Sequence, residues 1–210
     1  TLEDLEDIKN LYDPSRTFFI GFNRRFSPLS KLMRNLIEPI NEPKTILITV
    51  NAGRVDPENW TRDKEIGGGR ILGESCHFID LLLYLVGSPV KTSQSVSASA
   101  SDGSASLNFQ FNDGSIGSVN YITNGSRSFP KERVEVFVAG KVLQLDNFKT
   151  IRGFGWKRFT YKRLWKQNKG NSECVAAFVD SCVNGLLEKE SQINQFFEAS
   201  KFAIELSEYS

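Results

Sequence analysis

The stretch Gly67-Gly68-Gly69-Arg70-Ile71-Leu72-Gly73-Glu74-Ser75-Cys76-His77-Phe78-Ile79-Asp80 leads a glycine-rich turn into an apolar segment that carries the only histidine of the chain. Three consecutive glycines form no regular element cheaply, but they let a backbone turn sharply or lie against a ligand where a β-carbon would collide. From Glu74 to Val86 the sequence is apolar on nearly every face, which predicts a buried helix. Glu74, His77 and Asp80 recur at i, i+3 and i+6, so neighbours in the series sit side by side along one edge of that helix. Ionisable groups on a buried helix need partners or a solvent-lined cleft. A lone histidine between two carboxylates also reads as a satisfied structural group; the glycine run just upstream favours a site.

Before this stretch, residues 1–13 place Leu2, Leu5, Ile8 and Leu11 at threes, the pattern of an amphipathic helix that Pro14 ends. Phe18 to Gly21 reads as a short buried strand, and Ser27-Pro28 as the cap and first turn of a helix to about Glu38. Thr45 to Asn51 is a strand rich in β-branched residues, and Ala52 to Ile66 a polar loop holding Arg54.

After Val90, strand patterns are punctuated by turn signals at Asp102-Gly103, Asp113-Gly114 and Gly140. Ala105, Leu107, Phe109 and Phe111 alternate with polar residues, and Val134, Val136 and Val138 do the same, which predicts an antiparallel meander with one buried face. Further strands are expected at 141–146 and 156–163. Cys174, Phe178, Cys182 and Leu186 step by four along one helix and read as core, and a last helix follows a cap at Ser191. Helices grouped with a largely antiparallel sheet make an α+β fold.

Composition narrows the function classes. With 40% hydrophobic and 24% charged residues and a formal net charge of +1, the chain lacks the electrostatic footprint of a nucleic-acid or membrane-surface binder. Three cysteines without zinc-type spacing predict no metal site and suggest reduced thiols in the cytoplasm. The basic and aromatic residues around 156–166 read as a solvated strand edge, where lysines discourage edge pairing. Asn124 and Arg127, in a loop beyond a strand end, are placed for contacts to substrate hydroxyls, although an ordinary polar loop explains them equally well.

Two motifs in order carry a resemblance. The glycine triplet, His77, Asp80 and the Gly87-to-Val90 exit resemble the second domain of the glucose-fructose oxidoreductase and inositol dehydrogenase (Gfo/Idh/MocA) family. Gly21-Phe22-Asn23-Arg24-Arg25-Phe26-Ser27-Pro28 resembles the segment that leads out of that family's nucleotide-binding domain. The resemblance implies a large open, mostly antiparallel sheet with helices on one face, the other face serving homo-oligomer contacts. It implies residues 1–25 as the end of a dinucleotide-binding domain and 26–210 as the C-terminal substrate-binding domain.

On this reading the chain serves a dehydrogenase that uses NAD or NADP on a sugar, polyol or sugar-nucleotide alcohol. His77 would be the general acid-base, with Arg24, Arg54, Asp80, Asn124 and Arg127 toward substrate and Gly68 and Gly69 near the cofactor. The family usually has an aspartate four residues before the histidine; Gly73 stands there, and Glu74 is the expected replacement. No Gly-x-Gly-x-x-Gly turn occurs, since Gly153-x-Gly155 lacks the third glycine, and Glu42-Pro43-Lys44 is not the family's Glu-Lys-Pro motif. The Rossmann domain is therefore expected to be missing from these residues, and the chain alone to hold no cofactor and to be inactive. The alternative is a non-catalytic binding or assembly module that keeps the fold, which the Gly73 departure supports.

Overall fold

The computed structural model describes residues 1–53, 69–98, 103–185 and 190–208. Its centre is an eight-stranded sheet built from β1 (Thr45–Asn51), β2 (Val90–Ser97), β3 (Ala105–Phe111), β4 (Ile116–Ile122), β5 (Glu132–Val138), β6 (Lys141–Asp146), β7 (Thr150–Phe154) and β8 (Tyr161–Arg163). The order across the sheet is β2-β3-β4-β1-β5-β6-β7-β8. The strand β1 enters between β4 and β5, parallel to the first and antiparallel to the second. All other neighbours are antiparallel, as the alternating patterns predict.

Alternation sends one side of each strand inward. Ile46, Ile48 and Val50 of β1, Val134 and Val136 of β5, and Leu143 and Leu145 of β6 are buried. They share one core with α3 (Gly69–Val86), whose Leu81, Leu82 and Leu85 are also enclosed. Gly117 of β4 lets that helix come close: a β-carbon there would stand 2.5 Å from Leu82 Cδ1. Each fully buried Leu or Ile stabilises the fold by about 1.5–3 kcal/mol relative to leaving it exposed. The opposite side of the sheet carries polar residues in rows, with Leu47, Ile116, Phe137 and Phe154 exposed among them.

The remaining helices are α1 (Leu2–Leu11), a 3-10 helix (Asn23–Phe26), α2 (Pro28–Ile37), α4 (Asn171–Asn184) and α5 (Glu190–Glu208). Thr1 and Asp4 form a reciprocal cap at the start of α1. Ile8 and Leu11 of its predicted apolar stripe stay exposed, so α1 touches the domain mainly through Leu5 and the adjoining Tyr12, whose ring meets Phe197 of α5.

Several expectations are corrected. Phe18 to Gly21 is no strand: Phe18 stacks on Phe197 with centroids 5.3 Å apart, and Phe19 packs on Phe26, Phe178 and Phe196, so aromatic packing on helices replaces a ladder. Apart from these corrections, residue 25, after which the sequence places a domain boundary, lies in the 3-10 helix, whose Asn23, Arg25 and Phe26 are buried. Residues 156–160 turn between β7 and β8, because Gly155 adopts φ 75° and ends the strand; Trp156 Nε1 then donates to Val142 O at 3.0 Å. Cys174 is buried, but Phe178 and Cys182 on the same predicted stripe are exposed. The last helix already includes Ser191, beginning at Glu190. Leu186 lies outside the described residues.

Candidate functional site

The helix α3 begins at Gly69, five residues ahead of its predicted start, so Gly73 lies within the helix. In an α-helix a three-residue step rotates a side chain by about 60° from alignment. The series Glu74, His77, Asp80 therefore winds from the surface into the interior. Glu74 is half-buried, His77 more enclosed, and Asp80 fully buried.

Asp80 is the inner end of that series. Arg25 donates to it from Nε to Oδ2 at 2.8 Å and from Nη2 to Oδ1, and its guanidinium also lies over the rings of Phe196 and Tyr84. Burial pushes the Asp80 carboxyl above its ordinary range, and the Arg25 charge pulls it back. With no exposed surface and its carboxylate taken up by Arg25, Asp80 pins α3 to the 3-10 helix; its burial speaks for that role over the expected substrate contact.

His77 sits against the edge of Phe22, with ring centroids 5.9 Å apart. Its Nδ1 is buried and has no hydrogen-bond partner among the described residues. Burial pulls the imidazole down to about 4, and the charges of Arg24 and Lys169 add to the effect. The ring is therefore neutral at physiological pH and keeps a nitrogen lone pair, while the same burial and charges resist its protonation. Its neighbour Cys76 is pushed up to about 11 by burial, so that thiol stays protonated.

Arg24 reaches this region from the 3-10 helix. Its Nη1 donates to Asn23 Oδ1 at 2.8 Å and its Nη2 to Glu132 Oε1 at 3.2 Å, while its guanidinium lies over the Phe78 ring. Glu132, at the start of β5, is buried and also accepts from Lys169 Nζ at 3.0 Å. Lys169 is fixed because the chain before α4 folds back on the 3-10 helix. Asn23 Nδ2 donates to Lys169 O at 3.0 Å, and Ser27 Oγ to Asn168 O at 2.8 Å. Gly170 makes that approach feasible: it has φ 85°, and a β-carbon there would meet Asn23 O at 2.3 Å.

Glu74 pairs with Lys131 Nζ at 3.8 Å, tying α3 to the loop between β4 and β5. The same loop carries Asn124 and Arg127, both exposed, and is anchored where Asn51 Nδ2 donates to Ser126 O at 2.6 Å. Arg54 and Gly68 lie outside the described residues, and Gly69 is the first residue of α3. The structure thus brings His77 and Arg24 into one charged neighbourhood and joins Glu74 to the loop of Asn124 and Arg127. Sequence reasoning missed Glu132, Lys169 and Arg25, whose partners are remote in the chain and leave no local pattern. Among the described residues no cluster of three or more His, Cys, Asp or Glu could hold a metal ion, and no helix is long and apolar enough to cross a membrane.

Comparison with known proteins agrees with the fold. Residues 32–145 match the family described as "Oxidoreductase family, C-terminal alpha/beta domain". No curated protein sequence matches the chain. Among solved structures, a levoglucosan dehydrogenase in complex with NADH superposes with a TM-score of 0.75 at 17% identity, over 98% of this chain and 67% of that one. A UDP-N-acetylglucosamine 3-dehydrogenase from Acidithiobacillus ferrooxidans gives 0.73 at 15% identity, over 98% and 65%. An oxidoreductase from Thermotoga maritima gives 0.74 at 17%, over 97% and 64%. At such identities the likeness is one of fold, and the chain spans about two thirds of the length of these structures. The family match covers more than half of the 210 residues, and the chain belongs to the oxidoreductase family of Gfo/Idh/MocA type through its C-terminal α/β domain.

Proposed function

We propose that this chain is the substrate-binding part of an NAD(P)-dependent oxidoreductase acting on an alcohol of a sugar, polyol or sugar nucleotide, with His77 as its acid-base group. The observation that carries the reading is the His77 imidazole: half-enclosed, neutral, and with a buried Nδ1 that has no partner among the described residues. A neutral imidazole can take the proton of a substrate hydroxyl and return it in the reverse direction. Structural neighbours that are dehydrogenases of levoglucosan and UDP-N-acetylglucosamine support the substrate class.

The residues present fit the proton-handling half of such a reaction and not the binding of a dinucleotide. No Gly-x-Gly-x-x-Gly turn, the motif whose amides hold a pyrophosphate in dinucleotide-binding folds, occurs in the 210 residues. We assign cofactor binding to sequence outside them, with residues 1–25 as the connection to it. The nicotinamide, when bound, would supply the hydride acceptor. In this proposal the protein is a cytoplasmic homo-oligomer that associates through the open sheet face, and the 210 residues alone are inactive.

The test is turnover by the full-length protein on sugar alcohols with NAD and NADP. His77→Asn should lower kcat by about 10²–10⁴-fold, the range of acid-base assistance, and leave cofactor binding intact. Unchanged turnover would remove His77 from the mechanism. The second reading, a non-catalytic module, is favoured by one observation: Glu74 pairs with Lys131, and nothing occupies the aspartate position at Gly73. If Glu74 orients the imidazole, Glu74→Gln lowers turnover as well; a full-length protein without activity toward any such alcohol would favour the module.

A further inference from the structure

We propose that the substrate of this site carries an anionic oxygen group, a carboxylate or a phosphate, bound by Arg24 and Lys169 beside His77. The inference rests on the substrate-binding role proposed above and narrows its ligand.

The charge balance points to it. Arg24 and Lys169 converge on a single carboxylate, Glu132, so the trio keeps one net positive charge. That charge is largely withdrawn from water: the side chains of Arg24 and Lys169 are 13% and 27% exposed. A partly desolvated net charge is costly, and a bound anion would offset the cost. Nearby, Lys131 is already matched by Glu74, which leaves the Arg24 and Lys169 pair as the unbalanced one.

The hydrogen-bonding inventory agrees. Arg and Lys side chains only donate, so they suit a group that only accepts. Arg24 Nε is buried with no partner among the described residues, and the described side-chain bonds of Lys169 go to Glu132 alone, leaving donors to spare. The wider field has the same sign. Residues 147–172, which include β7, β8 and Lys169, contain eight lysines and arginines and no aspartate or glutamate. A segment of one sign attracts anions to its side of the domain.

His77 is also the reporter, because as the only histidine its imidazole signals need no assignment by mutation. The charges that act on it are those of Arg24 and Lys169 from neighbouring elements, both paired with Glu132, while Glu74, Cys76 and Asp80 share its helix. An anion bound by Arg24 and Lys169 would offset the charges that add to burial in keeping the imidazole neutral. The experiment titrates the purified chain with glucuronate, glucose 6-phosphate and glucose while following the imidazole by NMR. Saturable shifts with glucuronate identify a carboxylate ligand and shifts with glucose 6-phosphate a phosphate ligand. In either case the imidazole midpoint should move up from about 4 by about one pH unit. Lys169→Gln should weaken that binding about 10-fold or more, and Lys169→Arg should restore it in part. Equal affinity for glucose, no saturable response to either anion, or binding unchanged in a folded Lys169→Gln variant would overturn the proposal. This readout needs no cofactor and no turnover, so its failure is separate from failure of the dehydrogenase reading.

Discussion

Arg25 and Asp80 meet through two parallel hydrogen bonds in the interior, 55 positions apart in sequence, with side-chain exposures of 3% and 0%. The bond joins the 3-10 helix to α3 on the side facing away from solvent, so it sets how Arg24 and His77 are presented to each other. Removing one partner leaves a buried charge uncompensated, which costs about 3–5 kcal/mol. Asp80→Asn and Arg25→Met should each lose stability on that scale in urea unfolding, and the double variant should lose less than the two losses added. Strict additivity would show that the pair is not coupled.

Two glycines should respond oppositely to alanine. Gly73 lies exposed within α3, and no described atom stands within 4 Å of a β-carbon built there, so Gly73→Ala should stabilise by about 0.5–1 kcal/mol. Gly117 faces the fully buried Leu82, and Gly117→Ala should cost about 1–3 kcal/mol through overpacking. Thermal unfolding of the two variants checks both signs.

The pH dependence of stability follows from His77. Folded, its imidazole takes a proton only near pH 4; unfolded, near 6.5. Between those values the unfolded chain holds the extra proton, so the contribution is complete above pH 6.5 and is lost as pH falls toward 4. His77→Gln lacks this term. Relative to the variant, the wild-type chain should lose roughly 2 kcal/mol between pH 7 and pH 5. Parallel unfolding curves at the two pH values measure the difference, and a constant gap between the proteins would contradict a neutral buried imidazole.

The open sheet face offers a test of assembly. Phe137 and Phe154 are 39% and 52% exposed on strands whose other side already packs on helices, and Leu47 and Ile116 extend the apolar row. If homo-oligomers form there, Phe137→Lys should shift the sedimentation of the chain to monomer without changing its circular dichroism. A wild-type chain that sediments as monomer at high concentration would refute the interface.

How much of this was legible in sequence depended on the range of the interaction. β1 and β6 appear where their β-branched and alternating patterns place them, because side-chain period 2 is a local property. The start of α3 was not legible: glycine propensity argues against helix at Gly69 and Gly73, and packing overrides it. Phe18 to Gly21 misleads because a run of apolar residues satisfies a ladder or an aromatic cluster equally well. His77 was legible as a candidate from residue type and spacing. That Asp80 belongs to Arg25, and that Lys169 and Glu132 attend Arg24, depended on partners brought together only by the tertiary fold.

The position of β1 has a consequence for how the chain acquires its structure. This strand precedes both its neighbours, residues 116–122 and 132–138, so its edges stay open until those two strands exist. Closing such distant pairs costs loop entropy before any contact repays it, which slows folding toward the millisecond-to-second range of non-local sheets. On the ribosome, β1 must wait while the meander emerges, an unpaired hydrophobic ribbon with Ile46, Ile48 and Val50 exposed. The site shares that dependence: Glu132, which draws Arg24 and Lys169 together, stands at the start of the strand that closes on β1, so the charged neighbourhood of His77 requires that long-range pairing.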